Sequence, residues 1–376
     1  MHDPFRRSRA KAGRKLRRAG VSALTEMWGT ILGSAKPKKG KETKPRRPAN
    51  KPAYPSSRSV GAAPDGAKDK DKARAPMPAT SRSQTRIPRG ATFKEGSHET
   101  EFGTRTYKIY VPAAARTATT PLPLVVMLHG CGQSPADFAR GTGMNTLAEE
   151  FGFLVLYPAQ ARDAHHYRCW NWYKRSDQAR GAGEPGLLAE MTRRIVADND
   201  VDPARVYVAG LSAGAAAALI LAIEYPDIFA AVGAHSGLAA ASAHDTASMP
   251  RAMQGGDPGR RHDIRMPTII FHGDGDKIIH PRNGRFIAIR ANGPYGRLDL
   301  MEKKGRAVGG REFTRTVHRV GRGRPYVEQW VIHGSGHAWS GGHAAGTYTD
   351  PAGPDASREM VRFFLRHRIT KKRRLT

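Results

Sequence analysis

The chain has 376 residues, 39% of them hydrophobic and 25% charged, which supplies a sizeable core for one large domain or two modest ones. It holds no apolar run long enough to cross a bilayer, which excludes a membrane-spanning helix. Its net charge of +29 is the balance expected of a polyanion binder, with nucleic acid or anionic lipid as partner.

That charge is unevenly spread. Residues 1–90 carry 24 Lys and Arg against 6 Asp and Glu, and hold 10 of the 26 prolines. From Lys36 to Gly90 the composition is Pro, Lys, Ala, Ser and Gly without periodicity. Such a stretch buries too little apolar surface to offset the entropy of ordering it, so a disordered basic linker is expected. Nearer the N-terminus, Leu16, Val21, Leu24, Met27, Trp28, Ile31 and Leu32 follow a run of Arg and Lys at roughly helical spacing. Three readings stay open there: a signal peptide, a short amphipathic helix over 14–33 lying on an anionic surface, or a solvated basic tail. Thr25 and Glu26 interrupt the apolar stretch that a signal peptide needs.

From Ala91 strand and helix signals alternate. Glu101–Pro112 reads as an early antiparallel strand, and Pro123–His129 and Phe153–Tyr157 as continuous apolar strands of the buried type, with a helix over Met144–Phe151 between them. A helix over Leu187–Asp198 precedes a strand at Arg205–Ala209 and an Ala-rich helix over Ala213–Glu224. Short buried strands follow at Ala230–Ala234 and Thr268–Phe271, then a helix over Pro281–Ala291. Thr314–Val320 and Tyr326–Ile332 read as a hairpin, and Arg358–Arg368 as a closing helix. Apolar strands interleaved with helices predict an α/β domain over 91–370, mainly a parallel sheet with helices on both faces, ahead of a basic tail at 371–376.

The chemistry starts at Gly210-Leu-Ser212-Ala-Gly214, between a predicted strand and a predicted helix. A nucleophile elbow needs that setting: a sharp turn lifts the serine hydroxyl above the sheet edge, and small neighbours let strand and helix approach. The Ala213 amide, at the helix N-terminus, is then one oxyanion donor. The loop His129-Gly-Cys131-Gly-Gln133, after an earlier strand, supplies the second from Cys131. Hydrolases of this order place an acid and then a histidine after the serine. Pro267–Asp276 ends in the acid, with Asp276 preferred and Asp274 its competitor, and Val331–Gly342 carries the histidine, with His337 preferred over His333.

The strings HGCGQ, GLSAGAAAA, HGDGDKIIHPRNG and GSGHAWSGG together resemble the polyhydroxybutyrate depolymerase family of α/β-hydrolase esterases, itself similar to feruloyl and acetylxylan esterases. The resemblance covers about Glu101–Arg368. It implies Ser212 as nucleophile, Asp276 as acid, His337 as base, Cys131 and Ala213 as oxyanion donors, and an exported enzyme. A cytoplasmic location is the alternative, for want of a clean signal peptide. Residues 1–90 inherit nothing from it.

The segment Cys169-Trp170-Asn171-Trp172-Tyr173 also looks like a family feature, and Trp170, Asn171, Trp172 and Trp339 are read as substrate-binding, against the alternative that the aromatics pack the core. Cys131 and Cys169 are the two cysteines; a disulfide between them would tie the aromatic segment to the oxyanion loop and favour an oxidising compartment. The expected activity is a serine esterase acting on poly- or oligo-(3-hydroxybutyrate)-type esters. A feruloyl or acetylxylan carboxylesterase is the alternative. A second class is a surface-binding protein that works through residues 1–90. No cofactor, metal or specific nucleic-acid recognition is expected, since no zinc set, phosphate-binding glycine motif or base-stacking platform is present.

Overall fold

The computed structural model describes residues 87–370, apart from positions 320 and 322. The proposed helix over 14–33, the linker up to residue 86 and the tail at 371–376 lie outside the described residues.

Ten strands form one sheet in the order β1-β2-β4-β3-β5-β6-β7-β10-β9-β8. In chain order they are β1 (Thr92–Thr100), β2 (Gly103–Val111), β3 (Leu122–Leu128), β4 (Leu154–Pro158), β5 (Val201–Leu211), β6 (Ala231–His235), β7 (Thr268–Gly273), β8 (Asp299–Arg306), β9 (Glu312–Arg319) and β10 (Pro325–Ile332). The strands from β4 across to β10 run parallel. An antiparallel pair closes each edge. The parallel strands are the ones that read as unbroken apolar runs, because both of their faces are covered: every residue of β4, β6 and β7 is buried.

Alternate side chains serve the two faces. Tyr207, Ala209 and Leu211 of β5 join one core with Met360, Phe363 and Phe364 of the closing helix, which spans Ala356–Phe364. On the opposite face Gly210 backs onto the helix Ala213–Glu224. The helix Met144–Phe151 packs with the closing helix, and Gly183–Asp198 with Ala213–Glu224, so each face carries its own helical layer.

The two strands missed by the sequence reading lie where burial is weakest. Strand β1 (TFKEGSHET) pairs with β2 along its whole length, Thr92 opposite Val111 to Thr100 opposite Gly103. Strand β8 (DLMEKKGR) is exposed almost throughout and pairs with β9. Both are edge strands held by backbone pairing, and neither carries an apolar alternation that would announce it. The helix Pro135–Thr142 is too short to show a period. Its signals were a proline in the first turn and Ser134, whose hydroxyl accepts from the Asp137 amide at 3.3 Å.

The contact between sheet and closing helix is tight at Gly233, where a Cβ would lie 2.8 Å from Met360 Sδ and 3.1 Å from Phe364 Cζ. Gly233→Val should therefore cost about 1–3 kcal/mol of stability by overpacking. Gly255, whose Cβ would meet nothing within 4 Å, is the control. Thermal melts should show a drop of several degrees for Gly233→Val and none for Gly255→Ala; equal melts would refute the packing described.

Candidate active site

Strand β5 ends at Leu211 and the next helix starts at Ala213, so Ser212 alone makes the turn, with φ 58° and ψ −120°. A side chain in that left-handed region costs on the order of 1–3 kcal/mol and persists only where its surroundings enforce it. Here they do. A Cβ on Gly210 would lie 2.4 Å from the Gly214 carbonyl carbon and oxygen, and one on Gly214 would lie 2.2 Å from the Leu128 oxygen and 2.5 Å from that of His129. Glycine at both positions is thus a steric requirement of the turn. The Ser212 amide donates to the His235 carbonyl at 2.9 Å, which fastens the turn to the end of β6.

Beyond β7, Asp276 is buried and anchored through both oxygens. Its Oδ1 accepts from the Ile278 and Ile279 amides, each at 2.9 Å, and its Oδ2 lies 2.7 Å from His337 Nδ1. His272 Nε2 stands 3.5 Å from the same Oδ2 and 2.9 Å from the Ile279 carbonyl. Burial works against ionising Asp276, but the hydrogen bonds and charges of His272 and His337 outweigh it and hold the carboxyl well below the usual carboxylate range. With Nδ1 of His337 engaged by this carboxylate, Nε2 is the ring nitrogen left to take a proton. The competitors pair with each other: His333 Nδ1 lies 2.8 Å from Asp274 Oδ2, its Nε2 2.9 Å from Thr314 Oγ1, and both side chains are 42% exposed.

His235, not singled out from the sequence, links the two halves. Its carbonyl holds Ser212, its Nε2 accepts from the Ser340 amide at 2.9 Å, and its ring stacks on Trp339 and Phe271. Burial, reinforced by His272 and His337, pushes its pKa down to about 3, so it stays a neutral acceptor. Trp339 departs from the expectation that it walls the site. It is 1% exposed, donates to Ser357 Oγ at 3.0 Å and packs edge-on against Phe138, which makes it a core residue steadying the loop of His337.

The loop after β3 is pinned from several sides. Cys131 and Cys169 are joined in a disulfide, with Cα atoms 4.3 Å apart. By loop-closure entropy a link over 38 residues contributes about 3–4 kcal/mol. The Gly132 amide donates to the Tyr167 carbonyl at 2.8 Å, whereas the Cys131 and Ala213 amides have no acceptor among the described residues. Trp170 also corrects the sequence reading: it is wholly buried, and its Nε1 donates to the His129 carbonyl at 3.0 Å. Asn171 is committed as well, since its amide and side-chain nitrogen each donate to Glu184 at 2.7 Å. Trp172 is 5% exposed. Behind this segment Glu184 is enclosed by Gln160, Asn171 and, at 3.6 Å, Arg105. Burial raises its pKa against those hydrogen bonds. Nothing in the spacing of Arg105, Gln160 and Glu184 announces this network, because its members come from three separate elements.

A serine on a strained strand-to-helix turn, an acid after β7 and its histidine partner after β10, the strand beside β7 in the sheet, define the α/β-hydrolase class on a mainly parallel sheet. The model of the family described as "Esterase PHB depolymerase" matches residues 105–296, and the chain belongs to this family. That match includes Ser212 and Asp276 but stops before His337. Poly(3-hydroxyalkanoate) depolymerase C of Paucimonas lemoignei is 32% identical over 243 residues, 61% of this chain and 56% of the relative. Feruloyl esterase B of Neurospora crassa is 28% identical over 281 residues, covering 68% of this chain and 87% of the relative. An acetyl xylan esterase from Aspergillus awamori shares the fold with a TM-score of 0.56 at 21% identity, over 73% of this chain and 99% of its own. The chain thus spans little more than half the length of the Paucimonas depolymerase.

Two buried imidazoles frame the site. Burial pushes His129 down to about 4, as it pushes His235 down to about 3. The unfolded chain takes up these protons near pH 6.5. Each histidine therefore lends stability that is complete above that pH and is lost as the pH falls toward its folded value. Side-chain 15N NMR at pH 5 should find both rings neutral; protonation of either by pH 6 would contradict the burial described.

Proposed function

We propose that the protein is a serine esterase, with Ser212 as nucleophile, His337 as general base and Asp276 as the acid that orients it. The observation that carries this reading is the 2.7 Å bond between His337 Nδ1 and the buried Asp276 carboxylate, on loops that follow the Ser212 turn in chain order. His337 Nε2 takes the proton from Ser212 Oγ as that oxygen attacks the ester carbonyl. The tetrahedral oxyanion receives hydrogen bonds from the Cys131 and Ala213 amides, whose donors no other described group uses. Collapse expels the alcohol, which takes the proton from His337 and leaves an acyl-serine. Water then attacks with His337 again as base, and the acid is released. Asp276 keeps its charge throughout and stabilises the imidazolium.

For substrate we favour esters of 3-hydroxy acids, polymeric or oligomeric, supported by the family match and the Paucimonas relative. A feruloyl or acetyl carboxylesterase is the second reading, supported by the longer coverage of the Neurospora relative. We further propose that residues 1–90, with 24 Lys and Arg against 6 Asp and Glu, contact anionic surfaces in a salt-dependent way.

Ser212→Ala should abolish turnover of p-nitrophenyl butyrate, and Asp276→Asn should lower kcat by about 10³–10⁴ with little change in KM, because the imidazole then loses its tautomer and counter-charge. Equal rates in the parent and Ser212→Ala would reject the assignment. Release assays on hydroxybutyrate oligomers, feruloyl esters and acetylated sugars at matched concentration decide between the two substrate classes.

A further inference from the structure

Next to the oxyanion loop lies a cavity of about 230 Å³ lined by Gly132, Arg162, His166, Tyr167 and Arg168. It is open to solvent, and its lining includes two arginines and a histidine. The segment behind it is sewn to the oxyanion loop at two points, through the Cys131–Cys169 disulfide and the Gly132 amide on the Tyr167 carbonyl. Between those points Arg168 holds a left-handed conformation, φ 51°, with its amide on the His165 carbonyl at 2.7 Å. Its side chain is therefore positioned by the same strap that shapes the loop carrying Cys131.

Arg162 and Arg168 line this cavity without an acid to pair with, unlike the arginines that the fold ties to carboxylates. Arg105, Arg311, Arg315 and Arg362 each meet a carboxylate within 3.6 Å. Arg162 and Arg168 form no ion pair among the described residues. The acid nearest in sequence, Asp163, accepts from the Ala164 amide at 2.9 Å. Arg162 is exposed and Arg168 half-buried; two arginines without a counter-charge that line one cavity are a place for an anion from outside, and the planar fork of guanidinium suits a carboxylate.

We propose that Arg162 and Arg168 form an anion subsite that binds the free carboxylate end of the substrate, so that the enzyme prefers short hydroxyacyl oligomers with an acid terminus. The assignment rests on the ester-hydrolase reading above and adds substrate selection to it. Gly132, which follows the proposed oxyanion donor Cys131 in the chain, lines the cavity, so a carboxylate bound here lies beside the oxyanion loop. It also adds a charge-dependent contribution to KM that a neutral ester does not feel.

The test compares the 3-hydroxybutyrate dimer as free acid with its neutral primary amide, both cleaved at the same internal ester, and uses p-nitrophenyl butyrate as reference. The parent should hydrolyse the acid with at least a tenfold higher kcat/KM than the amide, a preference that shrinks in high salt. The double substitution Arg162→Gln with Arg168→Gln should bring the acid to the level of the amide through KM. It should leave the amide and p-nitrophenyl butyrate within about twofold, which also shows that the loop still folds. Arg162→Lys with Arg168→Lys should retain part of the preference. A parent that handles acid and amide alike, a parent that cleaves the reference but neither dimer, or a variant that loses equally on all three overturns the subsite. In each of those cases Ser212-dependent turnover of the reference leaves the esterase reading standing. A parent inactive on every ester overturns both.

Discussion

The backbone of Gly214 runs so close to the carbonyls of Leu128 and His129 that no side chain fits between them. That approach brings the start of the helix Ala213–Glu224 against the end of β3, and the rest of the site depends on it. It sets the first turn of that helix beside the strand end from which the loop of Cys131 departs, and it forces the chain reversal into Ser212. Gly210 completes the constraint from the other side, because its own Cβ would strike the Gly214 carbonyl. The strain in Ser212 is thus a consequence of packing two elements, and the adjoining sheet core holds it in place.

The sheet then acts as an address system. Ser212, Asp276 and His337 follow β5, β7 and β10, with β6 lying between the first two. The end of that intervening strand is where His235 sits, holding the Ser212 amide with its carbonyl and the Ser340 amide with its ring. A protonated imidazole could not accept that second bond, so the burial that keeps His235 neutral also keeps the His337 loop in register with the serine turn. The carboxylate follows the opposite logic. Asp276 is equally enclosed, yet two backbone amides and two imidazoles surround it, and these favour the charged form over the cost of burial.

Much of this was legible in the sequence, and what was not shares a physical character. Gly210, Ser212 and Gly214 announce the turn because the steric need for small residues acts at fixed spacing. The buried strands β3, β4, β6 and β7 show as apolar runs because both faces are covered. Edge strands β1 and β8 left no such trace, since pairing through the backbone asks little of side-chain type. The choice of Asp276 over Asp274 followed from its place past the turn, while the surface pairing of Asp274 with His333 required coordinates. Trp170 and Trp339 show the limit of reading aromatics near a motif as a binding wall. A large ring close to a site in sequence serves equally well to fill the layer beneath it, and hydrogen bonds of both indoles to buried acceptors place them there. His235 and Glu184 were invisible for a related reason: each acts through partners distant in the chain.

The net charge of +29 divides accordingly. Most of its excess lies in residues 1–90, outside the proposed chemistry, and within the domain Arg162 and Arg168, which form no ion pair among the described residues, line a cavity with Gly132 of the oxyanion loop. The central claim is that the strained serine is the reacting group. Incubation with a fluorophosphonate, followed by peptide mapping, tests it most directly. One equivalent of label on Ser212, with loss of ester turnover in proportion, is the predicted result. Full turnover retained in protein that carries the label on Ser212, or loss of turnover with stoichiometric label on another residue, would contradict it.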